Sequence, residues 1–225
     1  MDQKCQLCEF KSLATQKLKD SELNELSSNC ITVKFAKGAN IIKQGTFSTN
    51  IAFLKSGIVK IHITGPYHEQ IVRILKAPTY LGLQNTFGDK VNQYSVSAIG
   101  ETEVCFINTS TFKDLIHSNN DFNDQIIMEL CKSELNSYFG CVNRTQKQIR
   151  GKIADVLLNF SDSVYDSDLF ILPITQEEIG NLVDSSRESV SRVLTEFVKD
   201  GIIEMSGKQI TIINRKTLNL ISENG

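Results

Sequence analysis

No run of apolar residues in this chain approaches the ~18 that a membrane-spanning helix needs, which excludes that class of protein. Excess charge is missing as well. Lys and Arg number 24 against 26 Asp and Glu, and no polybasic tail marks the chain for nucleic acid or an anionic membrane surface. The first residues, Met1 to Phe10, lack the apolar stretch of an export signal. The expected location is therefore the cytoplasm. There the six cysteines are reduced thiols or metal ligands rather than disulfides. Low-complexity tracts, solenoid repeats, nucleotide-binding glycine loops and metalloprotease histidine pairs are all absent, so no enzyme signature stands out. The three histidines, His62, His68 and His117, are scattered and read as structural.

What is present falls into three textures. From about residue 30 to 110, short β-rich runs alternate with turns. Ile31 to Phe35, Ile41-Ile42, Ile51 to Leu54, Ile58 to Ile63, Ile71 to Leu75, Tyr94 to Ile99 and Val104 to Ile107 read as strands. Glycines 38, 45 and 57 suit turns between them. Ile51–Leu54 and Ile58–Ile63, joined across Ser56-Gly57, look like a hairpin. Many short strands at close spacing predict a sandwich or barrel.

The second texture runs from Asp121 to about Ile149 with no proline and a single glycine. Met128, Cys131, Leu135, Tyr138, Val142, Thr145 and Ile149 alternate at spacings of three and four. That is a heptad seam, apolar everywhere but Thr145. It predicts a long helix that packs on its own barrel or pairs with its copy as a short coiled coil. The length favours the pairing.

The third texture begins at Arg150. Ile153, Val156, Leu157 and Phe160 mark an amphipathic helix, and a polar loop follows from Ser161 to Asp168. Thr175-Gln176-Glu177-Glu178 is a capping box that opens a short helix, ended by Asp184-Ser185. Ser185-Ser186-Arg187-Glu188 reads as a second capping box. Val190, Val193, Leu194, Phe197 and Val198 then give one apolar face. Asp200-Gly201 stops that helix, and Ile202–Met205, Ser206-Gly207 and Lys208–Ile213 read as strand, turn and strand. Two closely linked helices and a hairpin make a winged helix-turn-helix.

A recognition helix carries base-reading side chains on its first turns. Arginine bonds guanine O6 and N7 as a fork, and glutamate accepts from cytosine N4. Arg187, Glu188 and Arg192 supply that chemistry. Thr175, Gln176, Ser186, Ser189 and Ser191 are placed for phosphate or base contacts. Plainer roles exist for the same residues, since Glu188 suits a capping position and sits four residues from Arg192, the spacing of a surface ion pair. From Arg150 onward acids outnumber bases, so attraction to phosphate has to be local.

The segment ITQEEIGNLVDSSRESVSRVLTEFVKDGII followed by GKQITI resembles the winged helix of the Crp/Fnr superfamily of bacterial transcription regulators. Upstream, KGANIIKQG and FLKSGIVKIH resemble that family's cyclic-nucleotide-binding-like barrel, and the long helix matches its dimer helix. The resemblance covers nearly the whole chain. It implies an α+β protein: a jelly-roll sensor barrel over residues 1–118, a dimerisation helix over 119–149 and a winged helix-turn-helix over 150–225. It further implies a homodimer on a near-palindromic double-stranded DNA site, with Arg187, Glu188 and Arg192 reading bases. RNA polymerase is the implied protein partner.

Family members that bind cyclic AMP hold the ribose with a Gly-Glu pair and the phosphate with an Arg-Ser/Thr pair. Here Thr79-Tyr80 and Asn92-Gln93 stand in those places, without a carboxylate or a guanidinium. Cyclic AMP is not expected, and an effector pocket is placed near Tyr80, Leu81, Gly82, Asn92 and Gln93. The Fnr branch of the family implies another cofactor, an iron–sulfur cluster on N-terminal cysteines plus one in the barrel. Cys5 and Cys8 match the first two, and Cys105 the distant one. The next ligand of that branch falls near Ala14, with Cys30 the nearest substitute. Zinc, a thiol switch or plain buried thiols suit the same residues. A thioredoxin-like redox enzyme would need a βαβ unit after Cys8, and none follows.

Overall fold

The computed structural model describes residues 5–225, so the first four residues of the polar N-terminal stretch lie outside it. Two compact units form. Their main sequence boundary falls inside one helix, between Leu135 and Asn136, and residues 68–71 group with the second.

The first unit opens with a 3-10 turn, Cys5–Leu7, a second such turn, Thr15–Lys17, and the helix α1, Asp20–Ser28. Strands β1 (Cys30–Phe35), β2 (Asn40–Ile42), β3 (Asn50–Ser56), β4 (Ile58–Thr64), β5 (Glu69–Lys76) and β6 (Thr79–Leu81) follow. A short helix α2 (Leu83–Phe87) precedes β7 (Ser95–Ala98) and β8 (Thr102–Asn108), and α3 (Thr109–Ser118) comes next. The strands build two four-stranded sheets, β1-β8-β3-β6 and β2-β7-β4-β5. Their assigned pairings β1·β8, β3·β8, β3·β6, β2·β7 and β4·β7 are antiparallel.

The hairpin expected across Ser56-Gly57 does not form. Strand β3 pairs with β6 and β8, whereas β4 pairs with β7 in the other sheet. The chain changes sheet at Gly57, whose φ is +97°. A Cβ there would stand 2.7 Å from the Glu101 carbonyl oxygen, so glycine is required for both reasons. Period-two alternation reports a half-buried strand but not which neighbour it takes.

Strand β3 is buried on both faces because each face has its own partner layer. Ala52 and Leu54 point to Leu81, Val96 and Val104 inside the barrel. Ile51 and Phe53 point outward to Leu23 and Leu26 of α1, to Phe112 and to Ile107. The same parity divides β6, with Leu81 inside and Tyr80 outside.

Helix α4 spans Asn120–Gln146, roughly 40 Å at about 1.5 Å per residue. The Asn119 side chain caps it, accepting from the Phe122 amide at 3.0 Å. Phe122 and Ile126 root the helix in the first unit's core. Along the seam, Met128, Leu135, Tyr138 and Val142 are all about half exposed. Ile149 is not part of that seam, since it opens the next helix, α5 (Ile149–Asn159).

In the second unit a π-helical turn, Phe160–Tyr165, replaces the expected polar loop. The short strand β9 (Leu169–Ile171) joins β10 (Ile203–Ser206) and β11 (Gln209–Ile212) in a three-stranded sheet ordered β10-β11-β9. Between them lie α6 (Gln176–Val183) and α7 (Arg187–Lys199), and α8 (Arg215–Asn224) closes the chain. Ile153, Leu157, Ile179, Val190, Leu194, Phe197 and Leu218 are fully buried and form the core of this unit.

Candidate nucleic-acid interface and cysteine cavity

The two helices of the helix-turn-helix are each held by a local device at the start. The Thr175 hydroxyl accepts from the Glu178 amide at 3.2 Å, and the Glu178 carboxylate accepts from the Thr175 amide at 2.9 Å, the expected reciprocal cap. For α7 the expected reciprocal box does not form, and a one-way cap one residue further on takes its place. Ser186, not Ser185, is the cap, and its hydroxyl accepts from the Ser189 amide at 3.2 Å. The reason lies in the turn. Asp184 takes a left-handed φ of +56°, and the Ser185 amide then donates to the Gly180 carbonyl at 3.0 Å. A Cβ on Gly180 would meet the Ser185 carbonyl oxygen at 2.6 Å, so the glycine sets how closely the turn folds onto α6. Gly180 was not singled out from the sequence. A glycine inside an otherwise helical run is the signal by which it could be found.

With Val190, Val193, Leu194 and Phe197 buried, α7 turns its other face to solvent. Arg187, Glu188, Ser191, Arg192 and Thr195 line one open concavity together with Gln176 of α6. The Glu188 carboxyl is held below its usual range, chiefly by its own backbone amide and then by the Ser186 hydroxyl. Among the described residues no ion pair takes up Arg187 or Arg192, so the i, i+4 pair of Glu188 with Arg192 is not formed. Several of the acids that outnumber the bases are already engaged. Arg150 bonds Glu196 at 2.7 Å and Asp200 at 3.1 Å, with its guanidinium over the Phe197 ring. Arg215 bonds Asp162 at 2.6 Å and Asp168 at 2.5 Å. Local positive charge on the α7 face is thus left facing solvent while nearby carboxylates are partly neutralised. Ser186 and Ser189 are both drawn into the cap, their hydroxyl oxygens 3.2 Å apart.

A second constellation lies on the outer face of the β1-β8-β3-β6 sheet. Cys5, Cys8, Cys30, Cys105, Lys55 and Tyr80 line one cavity, together with Lys11, Thr15 and apolar neighbours. The Cys30 sulfur stands 3.7 Å from that of Cys5 and 3.7 Å from that of Cys105. Cys105 reaches this side because it alternates with the inward-facing Val104 and Phe106. The structure therefore brings together all three cysteines expected as ligands and adds Cys30. Hydrogen bonding from Cys30 draws the Cys5 thiol down to about 6 against the opposing effect of burial, and likewise lowers Cys105 to about 7. Cys30, which lies in sulfur contact with both Cys105 and Cys5, is pushed up. Among the described residues no group of three or more His, Cys, Asp or Glu side chains is arranged to hold a metal ion, so the sulfurs would have to turn toward a common point to do so.

The Tyr80 hydroxyl is buried at the edge of this cavity, 3.1 Å from Ser12 Oγ and 3.0 Å from Thr15 Oγ1. Burial pushes its phenol up to about 12. The residues expected as an effector pocket are thus divided. Tyr80 faces the cysteine side and Leu81 the barrel interior. Gly82 begins α2 with a φ of +77°. Asn92 donates to Thr46 Oγ1 at 3.0 Å and accepts from Asn85 at 3.3 Å, and the Gln93 amide donates to Asn85 at 3.2 Å. Asn92 and Gln93 are engaged in holding the loop after α2.

An antiparallel jelly-roll unit, a long helix and a winged helix-turn-helix define a class of regulator with a sensor and a DNA-binding part. Residues 32–119 match the cyclic nucleotide-binding domain, and residues 151–221 match the Crp-like helix-turn-helix domain. The chain belongs to the Crp/Fnr family of DNA-binding transcription regulators. It is 28% identical to the fumarate and nitrate reduction regulatory protein of Vibrio cholerae, over 95% of this chain and 88% of that one. Against the cAMP-activated global transcriptional regulator CRP of Salmonella typhimurium it is 26% identical, over 86% and 94%. In fold it is similar to FixK2 from Bradyrhizobium japonicum, with a TM-score of 0.78 at 18% identity, covering 85% of this chain and 96% of that one.

Proposed function

We propose that the protein acts as a homodimer in the cytoplasm, joined along α4, and reads a near-palindromic duplex site with two copies of α7. The observation that carries this reading is the open face of Arg187, Glu188, Ser191 and Arg192 beside the capped starts of α6 and α7. In this reading Arg187, Glu188 and Arg192 reach base edges, and Gln176 and Ser191 contact bases or backbone from the rim. Thr175, Ser186 and Ser189 position the helix starts, whose free amides meet phosphate. The half-exposed apolar seam of α4 supports the dimer, since an isolated helix face of that kind gains by covering. The sensor covers residues 1–118, the dimer helix 119–149 and the reader 150–225, and RNA polymerase is the partner through which bound DNA is acted upon. The test is quantitative binding to selected duplexes. Arg187→Ala should cost about 1–3 kcal/mol on the preferred site and relax base choice at one position of each half-site. Equal loss on every sequence would reduce Arg187 to a phosphate contact.

Cyclic AMP is not the effector of this chain. Its phosphodiester needs a cation, and Asn92 and Gln93 offer only side-chain amides, already engaged with Thr46 and Asp89. Calorimetry should detect no cyclic AMP binding at micromolar concentration.

The cysteine cavity favours a second element of the reading, control by a soft, thiolate-bound group. In donor chemistry alone the four thiols suit an iron–sulfur cluster of the kind the family resemblance implies, with Cys5, Cys8 and Cys105 as ligands and Cys30 in the fourth place, although as placed they do not form a metal-holding group. Such a group would supply sensitivity to oxygen or nitric oxide. Tyr80 and Thr15 line its site, and Lys55, paired with Glu103, adds a minor favourable charge near Cys105. Anaerobic purification followed by iron and sulfide analysis tests it.

A further inference from the structure

Cys30 stands at equal distance, 3.7 Å, from two other sulfurs, but the two neighbours are not equally free to approach it. A disulfide requires sulfurs about 2.05 Å apart and Cα atoms about 4.4–6.8 Å apart. Cys30 and Cys105 sit on paired strands in diagonal register, Cys30 opposite Ile107 and Thr32 opposite Cys105. Diagonal neighbours in an antiparallel ladder are about 7–8 Å apart, and the pairing from Cys30 to Phe35 fixes them. Closing that pair would distort the ladder.

Cys5 is held differently. It lies on a 3-10 turn outside the sheet, anchored by its amide to Ser27 Oγ at 2.6 Å. A short turn can carry its sulfur the remaining distance while β1 and β8 stay paired. Both thiols are partly exposed, so a small solute reaches them.

We propose that Cys5 and Cys30 form a reversible disulfide within one protomer when a peroxide enters the cavity. The Cys5 thiolate attacks one peroxide oxygen. A sulfur–oxygen bond forms, the oxygen–oxygen bond breaks, and hydroxide leaves to take up a proton as water. The resulting sulfenic acid is then attacked by the Cys30 sulfur. The sulfur–sulfur bond forms, the sulfur–oxygen bond breaks, and the hydroxyl leaves as a second water with the Cys30 proton. Two thiols are oxidised by two electrons and one peroxide is reduced. The bridge removes two of the four sulfurs from the cavity's donor set, so bridging and metal binding there exclude one another. This rests on reading the cavity as the control site, and its chemistry is read without DNA.

The experiment uses the full chain carrying Cys131→Ser and Cys141→Ser, reduced and freed of metal by chelation under anaerobic conditions. Hydrogen peroxide is added, free thiols are alkylated, and the peptides are mapped by mass spectrometry without reduction. A Cys5–Cys30 linkage is expected, persisting when Cys105→Ser is added. With Cys30→Ser, Cys5 should instead be captured by dimedone as sulfenic acid. Cadmium added before peroxide should block the linkage. A bridge from Cys5 to Cys8, a bridge from Cys30 to Cys105, or four free thiols after treatment would overturn the proposal. Linkage unaffected by bound cadmium would overturn the mutual exclusion. Failure of the reduced protein to bind any promoter fragment, with the linkage still forming on oxidation, would count against the DNA reading alone.

Discussion

The recognition face of α7 and the cysteine cavity are built on opposite plans. The first is drawn almost entirely from one stretch of chain, Thr175 to Thr195, and its chemistry points to solvent. The second gathers Cys5, Cys30, Lys55, Tyr80 and Cys105 from separate elements of the N-terminal unit, burying Lys55 and Tyr80 and half-burying the thiols. The contrast separates two kinds of dependence. A contiguous face relies on helix caps and a tight turn, so single surface changes there alter binding and leave the fold intact. A convergent cavity relies on strand register and on the aromatic packing behind it, so changes there reach stability first.

That difference can be broken or sharpened by substitution. The largest effect is expected behind the cavity. Phe112 is fully buried and meets Tyr80 and Phe122 edge-on at 5.5 and 5.3 Å. Phe112→Ala should cost about 3–5 kcal/mol by chemical denaturation, with the thiols of Cys5 and Cys30 alkylated faster. Next is Gly180→Ala, which forces a Cβ against the Ser185 carbonyl oxygen. A loss of about 1–3 kcal/mol is expected from overpacking, together with weaker DNA binding as the two helices part. Arg192→Ala should remove about 1–3 kcal/mol from specific binding while the melting temperature stays unchanged. If Arg192→Ala lowered stability as much as binding, the division between the two regions would fail. The smallest effect belongs to Ser186→Ala, where losing the cap should cost about 1 kcal/mol of stability, measured by thermal denaturation, with base preference retained.

The same contrast explains what could be read from the sequence. Caps, a 3.6-residue apolar period and a glycine stop are local signals, and they located α6, α7 and the wing. The misplaced cap shows the limit of that information. Ser185 and Ser186 are both competent caps, and only the left-handed turn at Asp184 decides between them. Helix α8 and strand β9 were not anticipated. Three residues of Leu169–Ile171 are too few to show alternation, and they are strand only because β11 lies beside them. In the barrel, strand positions were legible and strand partners were not, since Gly57 sends β4 to the other sheet. Cys105 was linked to the N-terminal thiols through family resemblance. Cys30 was named only as the nearest substitute ligand, and the β1·β8 register with the fold of the N-terminal segment put it between the other two sulfurs.

Strand β3 is a party wall between two rooms, with Ala52 and Leu54 furnishing the barrel and Ile51 and Phe53 the cysteine side. Sliding it by one position would exchange the furnishings of both rooms at once, at the cost of two packed layers. The wall can lean but not slip. A displacement of β3 would therefore be shared with β6 and β8, its neighbours in the sheet.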